Sequence, residues 1–287
     1  MNCYNGEKYL ADSIESIVNQ KYKNWELVFW DNHSKDNSKK IFKSFSDKRL
    51  KYFKSPKHTT LYEARNKAIA KAKGKYIAFC DTDDMWKKNK LELQVEKFKD
   101  NKVGLVYSNY IVQNDITGRS VVYSKKNLPE GNLKDFKFDE YKIGILTIIF
   151  RREFFTKYKI NFNSKYNIIG DFDFIFRMMK LTNFSCIQKT LAIYRIHKYN
   201  FSNRNYNMHI TELKGWLKQQ KMISNNIFIK FIEKKISYMK IISDIYQANK
   251  IKAFKKIIKL PLNYQKIRLF LILIIPLIIL KKIKYIN

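Results

Sequence analysis

Residues 74–86 read GKYIAFCDTDDMW. Tyr76, Ile77, Ala78, Phe79 and Cys80 make a short apolar run, bulky enough for a buried strand. The run stops at Asp81, Thr82, Asp83 and Asp84. Carboxylates crowded at the end of a buried strand repel one another, and a cation removes that cost. Oxygen ligands of this kind suit Mg²⁺ or Mn²⁺, which take one or two protein carboxylates and complete their shell with phosphate and water oxygens. In open α/β sheets ligands collect at the carboxyl ends of strands, where these acids fall. Taken alone, the same residues also fit a surface turn that caps a helix.

The flanks alternate between strand and helix patterns. Residues 7–20 place Leu10, Ile14, Ile17 and Val18 on one helical face. Residues 25–31 (WELVFWD) read as a strand ending in Asp31, and Ser34 is set to cap a helix running to about residue 46. Residues 50–53 follow as a short strand, and 64–73 as a helix with Arg65 and Asn66 in its first turn. After the acids come an amphipathic helix over 89–100, a strand over 103–112 and a polar loop over 125–142. Residues 143–150 (IGILTIIF) read as a strand and 153–158 as a short helix. In IIGDFDFIFRMMK (168–180), Asp171 and Asp173 open a helix whose apolar face is Phe174, Ile175, Met178 and Met179. A strand over 184–196 ends at His197. An Asp at such positions also serves as a turn or first-turn residue, an Arg as a solvated charge, and a lone His as a structural group.

The chain has 287 residues, room for one large α/β domain and an appendage. Its net charge of +32 favours phosphate-bearing partners: nucleotide-sugars, anionic headgroups or nucleic acid. Three cysteines without CxxC spacing indicate neither a zinc site nor a disulfide framework, and fit a reducing cytosol. Residues 1–10 are polar and read as no signal peptide.

As an ordered set, these pieces resemble family 2 of the inverting glycosyltransferases: YNGEKYL (4–10), SIVNQKYKNWELVFWDNHSKDNS (16–38), ARNKAIAKAKGKYIAFCDTDDMW (64–86), GDFD (170–173) and YRIH (194–197). The resemblance covers roughly the first 200 residues. It implies a GT-A fold, a Rossmann-like mixed α/β sheet flanked by helices, over residues 1–202, with a C-terminal helical appendage over 203–287. It implies a nucleotide-diphospho-sugar donor, a UDP-sugar, contacted by Asp31, Arg65, Asp81, Asp83 and His197. It further implies Mg²⁺ or Mn²⁺ on Asp83 and Asp84, and Asp171 as the general base. Family members often carry Glu-Asp where this chain has Gly170-Asp171, which leaves open what orients the base.

The family also begins with a buried strand just before the residues matching 2–6, of which Met1, Asn2 and Cys3 would be the remnant. A sheet so shortened is expected to expose unpaired backbone. That reading leaves two accounts, a start assigned too late or an inactive truncated copy. A nucleotidyltransferase would want a Gly-rich phosphate loop near the start, and none is visible. A nucleic-acid-binding protein would use the charge, but no RRM, helix-turn-helix or zinc pattern appears, so no nucleic-acid partner is expected.

Beyond residue 203 the pattern is Lys-studded helix, over 211–224 and 227–247. Residues 269–280 (LFLILIIPLIIL) are apolar, broken by Pro276 and followed by Lys281, Lys282 and Lys284. A bilayer span needs about 20 residues. The segment therefore reads as interfacial, on an anionic membrane surface, or else as a buried helix. The expected setting is the cytoplasmic, inner face of a bacterial cell membrane, with a lipid-linked or oligosaccharide acceptor.

Overall fold

The computed structural model describes residues 1–134, 143–201, 205–220, 226–262 and 264–275. They form two compact units. The first holds 1–113, 118–134 and 143–195; the second holds 114–117 and the described residues from 196 onward.

In the first unit, parallel strands β1 (Asn2–Cys3), β2 (Leu27–Asp31) and β3 (Leu50–Lys54) lie side by side in that order. Helix α1 (Glu7–Val18) separates β1 from β2 and buries Leu10, Ile14 and Ile17, the face its periodicity predicts. Helix α2 is shorter than expected, Ser38–Lys43. Ser34 caps no helix; its Oγ accepts Asn5 N–H at 3.1 Å instead, and its own N–H donates to Asp31 Oδ1 at 2.7 Å. The loop before α2 docks instead on the start of α1, where Asp36 accepts Glu7 N–H at 2.9 Å and Glu7 accepts Asn37 N–H at 2.9 Å. Helix α3 (Leu61–Lys71), capped by Thr60, packs Ala64 and Ala68 against Val28 and Trp30 of β2.

The second sheet runs β4 (Tyr76–Ala78), β8 (Ile149–Arg151), β6 (Val103–Asn114), β9 (Asn183–Ile196) and β5 (Met85–Trp86), with β7 (Arg119–Val122) on β6. Helices α4 (Lys90–Glu96), α5 (Glu153–Thr156) and α6 (Gly170–Met179) belong to the same unit. The run at 143–150 is core but only partly strand. Residues Ile145–Thr147 make a 3₁₀ turn closed by Thr147 N–H on Gly144 O at 2.9 Å, and its carbonyls accept Trp86 Nε1 and Gln94 Nε2.

Met1 to Cys3 do supply the short first strand, paired to β2 alone. Beside it lies a cavity of about 310 Å³, lined by Met1, Val28, Ala68, Ile77, Ala78 and Trp86 among others. That gap separates the two sheets. It leaves Tyr76 and Ala78 of β4 half-buried, where the apolar run alone predicts full burial.

The second unit is helical: α7 (Tyr206–Gln220), α8 (Asn226–Tyr246), α9 (Lys250–Ile258) and α10 (Tyr264–Ile274). Ile241, Ile245, Ala253, Ile257 and Leu269 form its core. Residues 276–280 of the apolar segment lie outside the described residues. Within the rest, Leu269 is fully buried, while Leu271 and Ile274 are exposed. Among the described residues, no helix is long and apolar enough to cross a membrane.

One buried cation gives a test of the first unit. Lys90 is fully enclosed, donates to Gln94 Oε1 at 2.6 Å and sits 4.5 Å from the Trp86 ring. Burial pushes its ammonium down to about 7, against an ordinary value of about 10.4. Between those pH values the unfolded chain binds a proton that the folded chain lacks, so this group makes stability rise with pH through that window. Lys90→Met should therefore be more stable than the wild type at pH 7, with the gap closing toward pH 10. Urea denaturation of both proteins at the two pH values measures it. An equal gap at both would show that Lys90 is not buried as a strained cation.

Candidate active site

The acidic turn is held by side chains of α1. The single proton of Ser13 Oγ is shared between Asp84 O at 2.7 Å and Thr82 O at 2.8 Å, and Trp86 N–H donates to Ser16 Oγ at 3.1 Å. Gly6 lets the turn come close, since a Cβ there would lie 2.9 Å from Thr82 Oγ1. The three acids end up in three environments.

Asp81 is half-buried and accepts Arg65 Nη2 on both oxygens, at 2.8 and 2.9 Å. Asp83 is half-buried as well. Asp84 is only 2% exposed, and its Oδ1 accepts Arg195 N–H at 3.2 Å. No donor among the described residues holds Asp84 Oδ2. Burial, then the charges of Asp83 and Asp81, push the Asp84 carboxyl well above the usual range. These are the donor chemistry and the mutual repulsion that a hard dication relieves. No cluster of three or more His, Cys, Asp or Glu side chains with metal-site geometry occurs among the described residues.

Arg65 is buried, at 2% exposure, and lies beneath the site, so its charge acts through Asp81. The rings of Tyr62, Phe79 and Phe162 surround its guanidinium at 5.4, 5.7 and 5.8 Å. Burial would lower its pKa, but Asp81, with Tyr62 and Asp171, holds it above the ordinary value. Asn66 pins the neighbouring segment, exchanging bonds of 2.8 and 2.9 Å with the backbone of Phe162.

Asp171 stands in the first turn of α6, half-buried. Its Oδ1 accepts Phe172 N–H at 2.8 Å and lies 3.3 Å from the Tyr62 hydroxyl. Burial raises its carboxyl, while Arg65, the Phe172 N–H and Tyr62 oppose the rise. Asp173, the neighbouring carboxylate, pairs with Arg177 at 2.9 Å along the helix.

Asp31 is 1% exposed with both oxygens in use, Oδ1 by Ser34 N–H and Oδ2 by the Tyr52 hydroxyl at 2.5 Å. His197 belongs to the second unit and is described there: its Nδ1 accepts Tyr199 N–H at 3.2 Å, and its backbone N–H donates to Asn200 Oδ1 at 2.6 Å.

Two residues escaped the sequence reading. Arg195, inside the quoted YRIH, braces the acids: besides its N–H on Asp84 it reaches Asp12 at 3.1 Å and stacks 4.4 Å from the Tyr9 ring. Alternation along β9 gave no signal, since buried residues fall on both of its faces there, Leu191 and Arg195 on one, Ala192 and Ile196 on the other. Tyr62 gave none either, being an aromatic in a helix start.

Comparison with known proteins identifies the family and the fold. The glycosyl transferase family 2 profile matches residues 1–187. A UDP-Glc:alpha-D-GlcNAc-diphosphoundecaprenol beta-1,3-glucosyltransferase, WfgD of Escherichia coli, is 31% identical over 210 residues, 72% of this chain and 79% of that one. TuaG of Bacillus subtilis, a putative teichuronic acid biosynthesis glycosyltransferase, is 30% identical over 154 residues, 52% of this chain and 60% of that one. Among solved structures, S. aureus TarS in complex with UDP-GlcNAc superimposes with a TM-score of 0.59 at 21% identity, covering 74% of this chain and 64% of that one. The mannosyltransferase PcManGT of Pyrobaculum calidifontis, in complex with GDP-Man and Mn²⁺, gives 0.60 at 15% identity, with 94% and 76% covered. The fold is therefore GT-A, and the chain belongs to glycosyl transferase family 2, as a glycosyltransferase.

Proposed function

We propose that this glycosyltransferase is inverting and metal-assisted, and that it moves a sugar from a UDP-sugar to a hydroxyl of a lipid-linked glycan during surface polysaccharide synthesis. One observation carries the reading. Tyr62 and Arg65, one turn apart on α3, hold Asp171 and Asp81, so a single helix ties a half-buried carboxylate to the acidic turn. The UDP-glucose donor and diphosphoundecaprenol-linked acceptor in the name of WfgD support the substrate classes.

In this mechanism Asp171 takes the proton of the acceptor hydroxyl as that oxygen attacks the anomeric carbon. The nucleotide diphosphate leaves from the opposite side, and a single displacement inverts the centre. No acid is needed for the leaving group, in contrast to the paired carboxylates of glycosidases. Asp83 and Asp84 would hold Mg²⁺ or Mn²⁺, Asp84 through Oδ2, and the ion would supply Lewis-acid stabilisation of the leaving diphosphate. Arg65 holds Asp81 in place beside them. Asp31 and His197 remain proposed donor contacts.

Asp171→Asn should lower kcat by about 10² to 10⁴ while leaving UDP binding intact. Asp83→Asn should remove Mn²⁺-dependent UDP binding. The acid limb of the wild-type rate profile should fall above the ordinary Asp value of about 3.9, because the base must be ionised and its pKa is raised. Steady-state kinetics and calorimetric titration with UDP and Mn²⁺ check all three. Wild-type turnover in Asp171→Asn would place the base elsewhere.

We also propose that the second unit rests peripherally on the anionic inner face of the cell membrane. Along α9, Ala253 and Ile257 face its core, yet Ile251, Phe254 and Ile258 are exposed, as is Leu262 beyond it. On α10, Ile267, Leu271 and Ile274 are exposed at i, i+4 and i+7. The two helices meet edge to face at Phe254 and Phe270, 6.0 Å apart. Lys250, Lys252, Lys255, Lys256 and Lys259 border the α9 stripe. Each inserted apolar side chain gains roughly 1.5–3 kcal/mol and each lysine near an anionic leaflet adds about 1 kcal/mol.

The double substitution Phe254→Glu and Ile258→Glu should leave the protein in the supernatant when vesicles containing phosphatidylglycerol are pelleted, whereas the wild type pellets with them. Metal-dependent donor hydrolysis should be unchanged. Equal pelleting of both proteins would remove this face from membrane binding.

A further inference from the structure

The residue before the base, Gly170, is the starting point. A Cβ built there would lie 2.6 Å from Cδ2 and Cε2 of Tyr62 and 2.7 Å from its Cγ. Real side chains do not approach that closely, so any other residue at 170 would expel the ring. Tyr62 occupies the space instead. It is 2% exposed and stacks on Phe162 with ring centroids 5.7 Å apart. Its hydroxyl lies 2.7 Å from Ile168 O, the carbonyl of the turn leading into α6, and 3.3 Å from Asp171 Oδ1. The Phe172 N–H donates to that same Oδ1 at 2.8 Å. Both donors thus fall on one oxygen, and no donor among the described residues holds Oδ2.

We propose that Tyr62 is the positioning residue of the reaction: it fixes Oδ1 of Asp171 and so makes Oδ2 the oxygen that receives the acceptor's proton, and position 170 is glycine because the Tyr62 ring fills it. The inference rests on Asp171 being the base. While Asp171 is ionised, the single Tyr62 proton is shared between Ile168 O and Oδ1. When the acceptor oxygen bonds to the anomeric carbon and the glycosyl–phosphate bond breaks, the acceptor's proton passes to Oδ2 and the phenol keeps its own. Burial, reinforced by the charge of Asp171, keeps Tyr62 protonated throughout. Tyr62 therefore exchanges no proton with substrate. It holds a carboxylate at one angle, and small misplacements of a reacting group are costly in rate.

Tyr62→Phe removes the hydroxyl and keeps the ring, so the fold is expected to persist, with circular dichroism and the melting temperature as the check. In the full chain, kcat should fall by about 10- to 100-fold, the worth of a hydrogen bond to a charged group, with the KM for donor and acceptor unchanged. In the Asp171→Asn background the same substitution should cost nothing further, because two residues acting through one carboxylate are not additive. An unchanged kcat in Tyr62→Phe overturns the inference while leaving Asp171 as base. So does an equal loss in both backgrounds, which marks a purely structural contact. Full activity in Asp171→Asn alone overturns the base assignment and this inference with it.

Discussion

The first unit depends on one buried guanidinium. Arg65 sits among three aromatic rings with its Nη2 between both oxygens of Asp81. Asp83, Asp84 and Asp171 add further negative potential to the same region. An unpaired charge at such depth costs several kcal/mol, and removing one partner of a buried pair costs about 3–5 kcal/mol. Arginine suits the place better than lysine, because it stays charged and its planar fork stacks on rings while it binds a carboxylate. The close packing of α3 on β2 follows from this, with Ala64 and Ala68 small enough to let the helix approach the strand.

The acidic turn needs support because its strand is short. Among the described residues β4 pairs only with β8, and a cavity of about 310 Å³ lies on its other side, between it and β2. The turn is therefore braced by side chains more than by sheet. Ser13 holds two of its carbonyls, Gln20 accepts Leu91 N–H at 3.1 Å and donates to Lys87 O at 2.9 Å, and Arg195 holds Asp84 from β9. Such side chain to backbone bonds each contribute modestly, but losing one leaves a buried carbonyl unpaired, which costs more than the bond itself is worth.

The same logic separates the acids by role. A carboxylate oxygen without a protein donor is the more open to a cation, since all its lone pairs remain available. Asp31 has a donor on each oxygen, whereas among the described residues Asp84 has one on Oδ1 and none on Oδ2. Asp171 is divided in the same way, with Oδ1 held and Oδ2 clear.

Much of the architecture was legible in the sequence. The 3.6-residue spacing in α1 and α6 marks their buried faces, and the apolar run before Asp81 marks a strand ending at the site. These are local periodicities, and local chemistry suffices for them. The span 143–150 misled for the same reason: an apolar run reports burial, whereas a 3₁₀ turn there depends on Trp86 and Gln94 reaching in from other elements. The C-terminal apolar run likewise could not say that Leu269 would face inward and Leu271 outward, since that depends on where α8 and α9 pack. The sequence by itself determined which carboxylates are candidates and that they follow strands or open helices. Only the tertiary structure decided which oxygen of each is held, that Arg65 is buried, and that Tyr62 fills the place of a side chain at Gly170. Those outcomes come from contacts between residues as far apart as Tyr62 and Asp171, where distance in the chain carries no information about distance in space.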